Sequence, residues 1–331
     1  MTMPPSDSRE HWSGSGRLRG GRLGIGFFLK LIRWVGPTVA YGFALPPALY
    51  FSFRSPDVPA TMEFHRHLFG PLPWWKRRWY VFKHFFAFGR AIIDRTAILA
   101  GQTRRFSFDF EGEHHLRSAA AQGKGVLLLT AHIGNWEVAG QLLSRIGLPV
   151  SVTGFDREIP AIRAMLNRMQ AEQKFQLIPL TGTPTDAIPL VAALRRGEVV
   201  AMLGDRAYGS PTAAVPFLGG IASLPVGAYV LAGIANAPAV QVFSLREPRG
   251  HYQFYGFPAL NPHRPPHHER DEYLKQCAAQ FAANLETVVK RDPFQWYNFY
   301  PFWDTPPAAP VLARRPARTS SFPPPATRAA N

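Results

Sequence analysis

Residues Thr130–Gly140 read T-A-H-I-G-N-W-E-V-A-G, and they lie where a buried strand is predicted to turn into a helix. The apolar run Val126–Leu129 comes directly before them between glycines, a pattern typical of a short buried strand. From Trp136 onward, apolar residues recur at helical spacing until Pro149 ends the pattern. His132 is therefore predicted at the C-terminal end of a strand, just before a helix begins.

His132 and Glu137 have the spacing of a possible catalytic pair. Five residues of an ideal helix turn the side chain by about 140°. The two side chains therefore meet only if His132 lies in the turn and Glu137 reaches back from the first helical turn. A carboxylate there would fix the imidazole tautomer, so we predict His132 as general base and Glu137 as its partner. The N–H groups around Gly134 and Asn135, or an arginine, are predicted to hold an oxyanion.

The other histidines and the cysteine give weaker signals. A His-x4-acid pair is expected roughly 0.7 times by chance with 11 His and 22 Asp and Glu, and His267 and Glu272 form a second pair. His263, His267 and His268 share a loop pattern that favours a solvated surface over a metal site, so no metal is predicted. Cys277 is the single cysteine, which excludes an internal disulfide, and its helical neighbours predict a core thiol.

The net charge of +15 is carried by the two ends of the chain. Residues 1–100 hold 14 Lys and Arg against 5 Asp and Glu, and the segment after Asp304 holds four Arg and no acid. The middle, 101–304, is nearly neutral at 19 against 17. Because the basic residues are mixed with long apolar runs and no nucleic-acid motif occurs, an anionic membrane surface is the expected partner, and nucleic acid is not.

Residues 1–22 are predicted as a mobile basic N-terminus and 23–100 as a membrane-associating helical region. Trp34–Phe53 lacks charge and is about long enough to span a bilayer, but three prolines interrupt it. The pattern favours a membrane-embedded hairpin or interfacial helices over a single span. The alternative that this segment is a helix buried in the protein core also stays open. Trp74–Trp79 interleaves tryptophans with Lys and Arg, as expected at a lipid headgroup layer.

Residues 101–304 alternate between predicted strands and helices, which indicates an α/β fold with a largely parallel central sheet and flanking helices. Ligands of such sheets bind at the carboxyl ends of the strands, where His132 and the Asp205-Arg206 pair are both placed. The predicted strands are Phe106–Phe110, Val126–Leu129, Val150–Phe155, Leu177–Leu180, Val199–Leu203, Val240–Leu245 and Tyr252–Phe257.

The predicted helices include Ile159–Gln173, a helix capped by Thr185 and Asp271–Lys290. Val215–Gly227 is interpreted as a strand, a loop and the start of a helix that runs to about Ala235. The aromatic segment Gln295–Trp303 either lines an acyl path or closes the core, and both interpretations stay open. Residues 305–331 are predicted from their composition to be disordered.

Four motifs carry a resemblance to a known family. They are His132-Ile-Gly-Asn-Trp-Glu137, Gly204-Asp205-Arg206, Val215-Pro-Phe-Leu-Gly219 with Leu224-Pro-Val-Gly227, and Trp296-Tyr-Asn-Phe299. Their order resembles the lysophospholipid acyltransferase superfamily, in particular the bacterial lipid A biosynthesis (lauroyl/myristoyl) acyltransferases. The resemblance runs from about residue 23 to 304. One departure is Arg206, which stands where the lipid A enzymes usually have glutamine, so the acceptor need not be lipid A.

The resemblance implies a glycerol-3-phosphate acyltransferase-like fold at the cytoplasmic face of a bacterial inner membrane. It implies transfer of a fatty acyl group from an acyl carrier protein or coenzyme A thioester to a hydroxyl or amine of a lipid or glycolipid, with no cofactor beyond the acyl donor. The alternatives are a thioester or ester hydrolase with the same histidine, and a non-catalytic membrane lipid-binding protein. The residues predicted to contact substrate are Asn135, Arg163, Asp205, Arg206, Phe217 and Gly219.

Overall fold

The computed structural model of the chain describes most of the residues between the two ends, and it leaves Glu137, Arg163 and the helix predicted over Ile159–Gln173 outside the described part. The predictions for residues 1–21 and 305–331 also lie outside it. The described residues are 22–99, 101–136, 147, 149–155, 175–181, 183–207, 210–263 and 265–304.

The core of the fold is a seven-stranded sheet in the order β1-β9-β8-β2-β5-β3-β4. Strands β4, β3, β5, β2 and β8 run parallel, β9 is antiparallel to β8, and β1 is parallel to β9. The predicted α/β architecture with a mostly parallel sheet is therefore confirmed. The described strands are β1 (Ser107–Glu111), β2 (Val126–Thr130), β3 (Val150–Phe155), β4 (Phe175–Leu180), β5 (Val199–Leu203), β6 (Thr212–Phe217), β7 (Gly220–Pro225), β8 (Ala239–Arg246) and β9 (His251–Gly256).

Helices cover both faces of this sheet, and β2 is consequently buried along its whole length. The continuous apolar sequence of β2 follows from that position, since a central parallel strand faces hydrophobic packing on both sides. The described helices are α1 (Arg22–Arg54), α2 (Val58–Phe69), α3 (Trp74–Leu99), α4 (Glu113–Ala120), α5 (Ala187–Arg195), α6 (Gly227–Ala235) and α7 (Arg270–Arg291). Cys277 lies on α7 and is buried in the core, as predicted.

Helices α1 and α3 pack closely because small residues meet between them. A Cβ atom on Gly89 would lie 3.2 Å from the Cβ of Ala44, and Ala40, Ala44 and Ala48 are buried along the same face of α1. The opposite face of α1 exposes large apolar side chains, and the first turns of α3 expose Trp74, Trp75 and Trp79. The exposed side chains of α1 are Trp34, Val39, Phe43, Leu45, Leu49, Tyr50 and Phe53.

Helix α1 is interrupted at Gly36, whose backbone is non-helical (φ 81°, ψ 170°), directly before Pro37. Among the described residues, no helix combines the length and the apolar character that crossing a bilayer requires. The membrane association of residues 23–100 stays a prediction.

The structure corrects two local predictions. Val215–Gly227 does not hold a strand followed by a loop, because β6 and β7 pair as an antiparallel hairpin whose turn, Leu218-Gly219, has positive φ at both residues (47° and 74°). Two-residue hairpin turns of this kind usually carry Asn or Gly first, so leucine at that place concealed the turn.

Thr185 does not cap a helix. A short 3₁₀ turn, Pro184–Asp186, precedes α5, and neither Thr183 nor Asp186 caps through its side chain. The Asp186 carboxylate instead accepts hydrogen bonds from the backbone N–H and the hydroxyl of Thr181, at 2.9 and 2.8 Å.

Candidate functional site

The candidate site lies at the carboxyl ends of two neighbouring parallel strands, β2 and β5. Thr130, the last residue of β2, pairs with Leu203, the last residue of β5, and the Gly204 N–H donates to the Thr130 carbonyl at 2.8 Å. His132 is the second residue after the end of β2, and Asp205 is the second residue after the end of β5. The parallel register of the sheet therefore brings the two side chains together from positions 73 residues apart.

Asp205 binds both the ring and the backbone of His132. One carboxylate oxygen, Oδ1, lies 2.8 Å from the His132 Nδ1 atom, and the other, Oδ2, accepts the His132 backbone N–H at 2.9 Å. Oδ2 also accepts the indole N–H of Trp296 at 3.2 Å. The Asp205 side chain is only 3% exposed and that of His132 16%. With Nδ1–H donated to the carboxylate, the lone pair of the imidazole is on Nε2, the tautomer a general base needs.

The electrostatics of the pair favour a neutral imidazole beside an ionised carboxylate. Burial lowers the pKa of His132 below its ordinary value near 6.5, the Arg206 guanidinium acts in the same direction, and Asp205 opposes both. Burial by itself would raise the pKa of Asp205, but His132, Arg206 and the His132 backbone N–H together lower it to about 2. At neutral pH His132 is therefore unprotonated and able to accept a proton, while Asp205 keeps its charge.

The backbone of the turn His132–Asn135 is fixed by partners from other parts of the chain. The His132 carbonyl accepts the N–H of Tyr297 at 2.7 Å, and the Gly134 N–H donates to the Gln295 carbonyl at 2.8 Å. The Asn135 N–H donates to the Ser244 hydroxyl at 3.1 Å. Gly134 has φ +62°, and a Cβ atom there would lie 2.1 Å from the Ser244 carbonyl oxygen, so only glycine fits.

These bonds correct the prediction that the N–H groups of Gly134 and Asn135 hold an oxyanion. Both already donate within the protein, to Gln295 and Ser244. The sequence analysis also named an arginine as a possible donor. Arg206 follows Asp205 directly, its Nη2 donates to the Tyr297 carbonyl at 3.0 Å, and its guanidinium lies over the ring of Tyr300.

The other residues predicted to contact substrate do not share one environment, since some are buried, one is exposed and two lie outside the described residues. Asn135 is 5% exposed and its amide donates to the Ala91 carbonyl, and Phe217 is 1% exposed in the core beside Trp296. Their burial argues against direct substrate contact by either side chain. Gly219 is exposed at the tip of the β6–β7 hairpin. Glu137 and Arg163 lie outside the described residues, so the pairing of Glu137 with His132 stays a prediction.

The aromatic segment Gln295–Trp303 is part of the core. Trp296, Tyr297, Phe299, Phe302 and Trp303 are all at most 8% exposed, so of the two open interpretations the structure supports core closure. Sequence reasoning did not find that Trp296 donates to Asp205. The sequence held only a general signal, because a buried indole N–H needs an acceptor. That acceptor can equally be a backbone carbonyl, as it is for Trp303, which donates to the Phe217 carbonyl at 2.9 Å.

The loop histidines show no metal site. Within the described residues, no group of three or more His, Cys, Asp or Glu side chains is arranged to hold a metal ion. The Nε2 atom of His268 lies 3.2 Å from Oε1 of Glu269, and both side chains are exposed.

Comparison with known proteins gives two consistent findings. Residues 69–305 match the sequence model of the family described as bacterial lipid A biosynthesis acyltransferase. A phosphatidylinositol mannoside acyltransferase of Mycobacterium tuberculosis is 26% identical over 194 residues, which is 58% of this chain and 58% of that protein. The protein with the same name from Mycolicibacterium smegmatis is 24% identical over 190 residues, 57% of this chain and 60% of that protein. The match thus covers less than two thirds of either relative.

Proposed function

Because the chain belongs to the family of bacterial lipid A biosynthesis acyltransferases, we propose that it transfers a fatty acyl group from a thioester to a hydroxyl or amine of a lipid or glycolipid. The observation that carries the proposal is the contact between His132 and Asp205 at the strand ends. A histidine with Nδ1–H held by a buried carboxylate is an oriented base, which is what an acceptor hydroxyl requires in order to attack a thioester.

The proposed reaction uses His132 first as a base and then as an acid. As the acceptor oxygen attacks the thioester carbonyl carbon, its proton moves to Nε2 of His132. Asp205 stabilises the resulting imidazolium, and Arg206 is the candidate to stabilise the charge on the carbonyl oxygen. When the tetrahedral intermediate collapses, the carbon–sulfur bond breaks and the thiolate takes the proton from Nε2. The products are the acylated lipid and a free thiol, and His132 is again neutral.

The donor is proposed to be an acyl carrier protein or coenzyme A thioester, and the acceptor a lipid A-like or other bacterial glycolipid. The names of the two mycobacterial relatives make phosphatidylinositol mannoside the first acceptor to test. Arg206 supports an acceptor other than lipid A, since the lipid A enzymes usually have glutamine there.

Lipid mass spectrometry is the direct test of this function. A strain lacking the gene should lose one acylated lipid species, and expressing the chain from a plasmid should restore it. A hydrolase would release free fatty acid from palmitoyl-CoA without any acceptor lipid. A non-catalytic lipid-binding protein would restore the lipid equally well with His132 replaced. Either result would reject the proposed transfer.

We also propose that the enzyme attaches to the cytoplasmic face of the bacterial inner membrane. The support is the apolar face of α1 next to the exposed tryptophans of α3, which are interleaved with Lys76, Arg77 and Arg78. An exposed apolar patch of this kind marks an interaction surface, and tryptophan with basic residues suits an anionic headgroup layer.

Attachment is predicted to resist salt. Each Lys or Arg near the surface adds about 1 kcal/mol that salt screens, whereas the inserted apolar groups are not screened. High salt or carbonate should therefore leave the full-length protein on membranes, and detergent should release it. Exchanging Phe43, Leu49 and Phe53 for serine should make binding weaker and salt-sensitive, with exchange of the exposed Ile188 on α5 as the control. Recovery of the unchanged protein in the soluble fraction at low salt would contradict the prediction.

A further inference from the structure

A buried polar cluster joins helix α1 to the turn His132–Asn135, which we call the catalytic turn. We call Tyr41, Asp94, Arg246 and Tyr252 the Asp94 cluster. Asp94 lies on α3 with no exposed surface, and its Oδ1 accepts the hydroxyl of Tyr41 on α1 at 2.5 Å. Its Oδ2 accepts the Nε–H of Arg246 and the hydroxyl of Tyr252, each at 2.6 Å. Arg246 also donates from Nη2 to the Tyr41 oxygen at 3.0 Å. One carboxylate thus connects α1, α3, β8 and β9.

Two sets of hydrogen bonds connect the Asp94 cluster to the catalytic turn. The Asn135 amide, three residues after His132, donates to the Tyr252 oxygen at 3.4 Å and to the Ala91 carbonyl of α3 at 3.2 Å. The second set of hydrogen bonds involves Gln295. Its side chain bonds both the N–H and the carbonyl of Arg246 at 2.7 Å, and its own carbonyl accepts the Gly134 N–H. The position of the turn is therefore tied to the position of the cluster.

The chemistry of the cluster suits a positioning role better than a stabilising one. A buried ion pair such as Asp94–Arg246 usually contributes little net stability, because desolvation of both charges offsets their attraction. Its geometry is nevertheless tightly specified, since every buried donor must find its acceptor. Burial and then the Asp94 carboxylate raise the pKa of Tyr41 to about 12, although Arg246 opposes them, so the hydroxyl stays protonated and keeps donating at neutral pH.

We propose that Tyr41, Asp94 and Tyr252 are positioning residues for His132, so that docking of α1 on α3 sets the geometry of the catalytic turn. The proposal rests on the proposed acyl transfer for its consequence in catalysis. Helix α1 then has two separate tasks. Its exposed face attaches to the bilayer, and its inner face, through Tyr41, completes the support of the site. The two tasks can be separated, because removing one hydroxyl group leaves the apolar face of α1 unchanged.

The test uses Tyr41→Phe and Tyr252→Phe in the full-length protein. Both keep the aromatic ring and the Asp94–Arg246 pair, so the fold should survive. The control is Thr96→Val, which removes a partly exposed hydroxyl from α3 two residues after Asp94, where it donates to the Ile92 carbonyl of its own helix. Diethyl pyrocarbonate modifies neutral imidazoles, and peptide mass spectrometry gives the modification rate at each histidine. This measurement requires no substrate.

Modification of His132 is expected to be faster by about two- to tenfold in both variants, the range that corresponds to losing one hydrogen bond. His65 on α2 and His84 on α3 are at most 1% exposed and should be modified equally slowly in all variants. The control Thr96→Val should leave the rate at every histidine unchanged. Equal His132 rates in the unchanged protein and both variants would overturn the proposal, and so would an equal rise at His65 and His84, which would indicate general loosening. These outcomes can be read even if no acyl transfer is found.

Steady-state kinetics of the same two variants test whether the positioning of His132 affects catalysis. In both variants kcat with palmitoyl-CoA and phosphatidylinositol mannoside should fall by up to about 100-fold, the cost that a displacement of ~1 Å at the reacting atoms can carry. KM for palmitoyl-CoA and the membrane-bound fraction should not change. An unchanged kcat in both variants, with transfer by the unchanged protein established, would overturn the role in catalysis. Absence of transfer in the unchanged protein would instead reject the proposed function.

Discussion

Replacement of His132 is expected to lower kcat for acyl transfer by about 10²–10⁴-fold, the usual contribution of a general base. His132→Ala removes the base and leaves the Asp205 carboxylate, which is 3% exposed, without its ring partner. Part of the fall in kcat of His132→Ala would then come from a less stable fold. His132→Asn is the sharper variant, because its amide nitrogen is bonded to Cγ as Nδ1 is and can still donate to Asp205, while no group can take the acceptor's proton.

The matched control for this substitution is His268→Asn. The side chain of His268 is 79% exposed and lies beside Glu269 in the loop before α7, so this change should leave kcat and the melting temperature as they were. The measurement is thiol release from palmitoyl-CoA that depends on acceptor lipid, with circular dichroism melts on the same preparations. Near-normal turnover by folded His132→Asn would falsify the assignment of His132 as the base.

The sequence predicted the sheet and the place of the base because both depend on local patterns. Apolar runs between glycines and prolines marked β2, β3, β5 and β8 to within one residue at either end. Ligands of parallel sheets bind at the carboxyl ends of the strands, and this rule placed His132 and the Asp205-Arg206 pair at the same end of the sheet. The contact between the two side chains needed the register of β2 against β5, which no local pattern contains.

The structural partners of the turn could not be predicted in the same way. Gln295, Ser244 and Tyr252 bond the turn from distant parts of the chain, and each is an ordinary polar residue in an apolar segment. The Asp94 cluster did leave a trace, since Asp94 is the single acid within Ala91–Leu99, a mostly apolar stretch that also holds Arg95. A lone carboxylate in such a place indicates a buried partner, but not which one.

Two carboxylates compete for the role of partner to His132. The sequence spacing predicts Glu137, whereas the structure bonds Nδ1 to Asp205. The Nδ1 atom carries one proton and donates it to one acceptor, so a single carboxylate can fix the tautomer. If Asp205 is that partner, Glu137→Gln should leave a reduced activity, and Asp205→Asn should cause the larger loss. The opposite order would favour Glu137.

Asp205→Asn is predicted to lower kcat by about 10³–10⁴-fold, since it changes the tautomer of the base as well as removing a charge. The carboxylate accepts three hydrogen bonds, from Nδ1 and the backbone N–H of His132 and from the indole of Trp296. An asparagine has one acceptor oxygen and a donor NH₂ group. Where the NH₂ group faces Nδ1, the ring accepts that hydrogen bond and carries its own proton on Nε2, where it can no longer act as base.

The pH profile separates this effect from a merely structural one. The base must be unprotonated, so kcat/KM falls as the pH drops through the pKa of His132, which burial holds below 6.5 in the unchanged protein. Asp205 raises that pKa, and its charge is absent in Asp205→Asn. The acid limb of the variant should therefore move to lower pH while the plateau falls. The control is Asp109→Asn, at a side chain 76% exposed on β1, which should change neither the plateau nor the limb. A lower plateau with the acid limb unmoved would show that Asp205 acts on the fold and not on the protonation of His132.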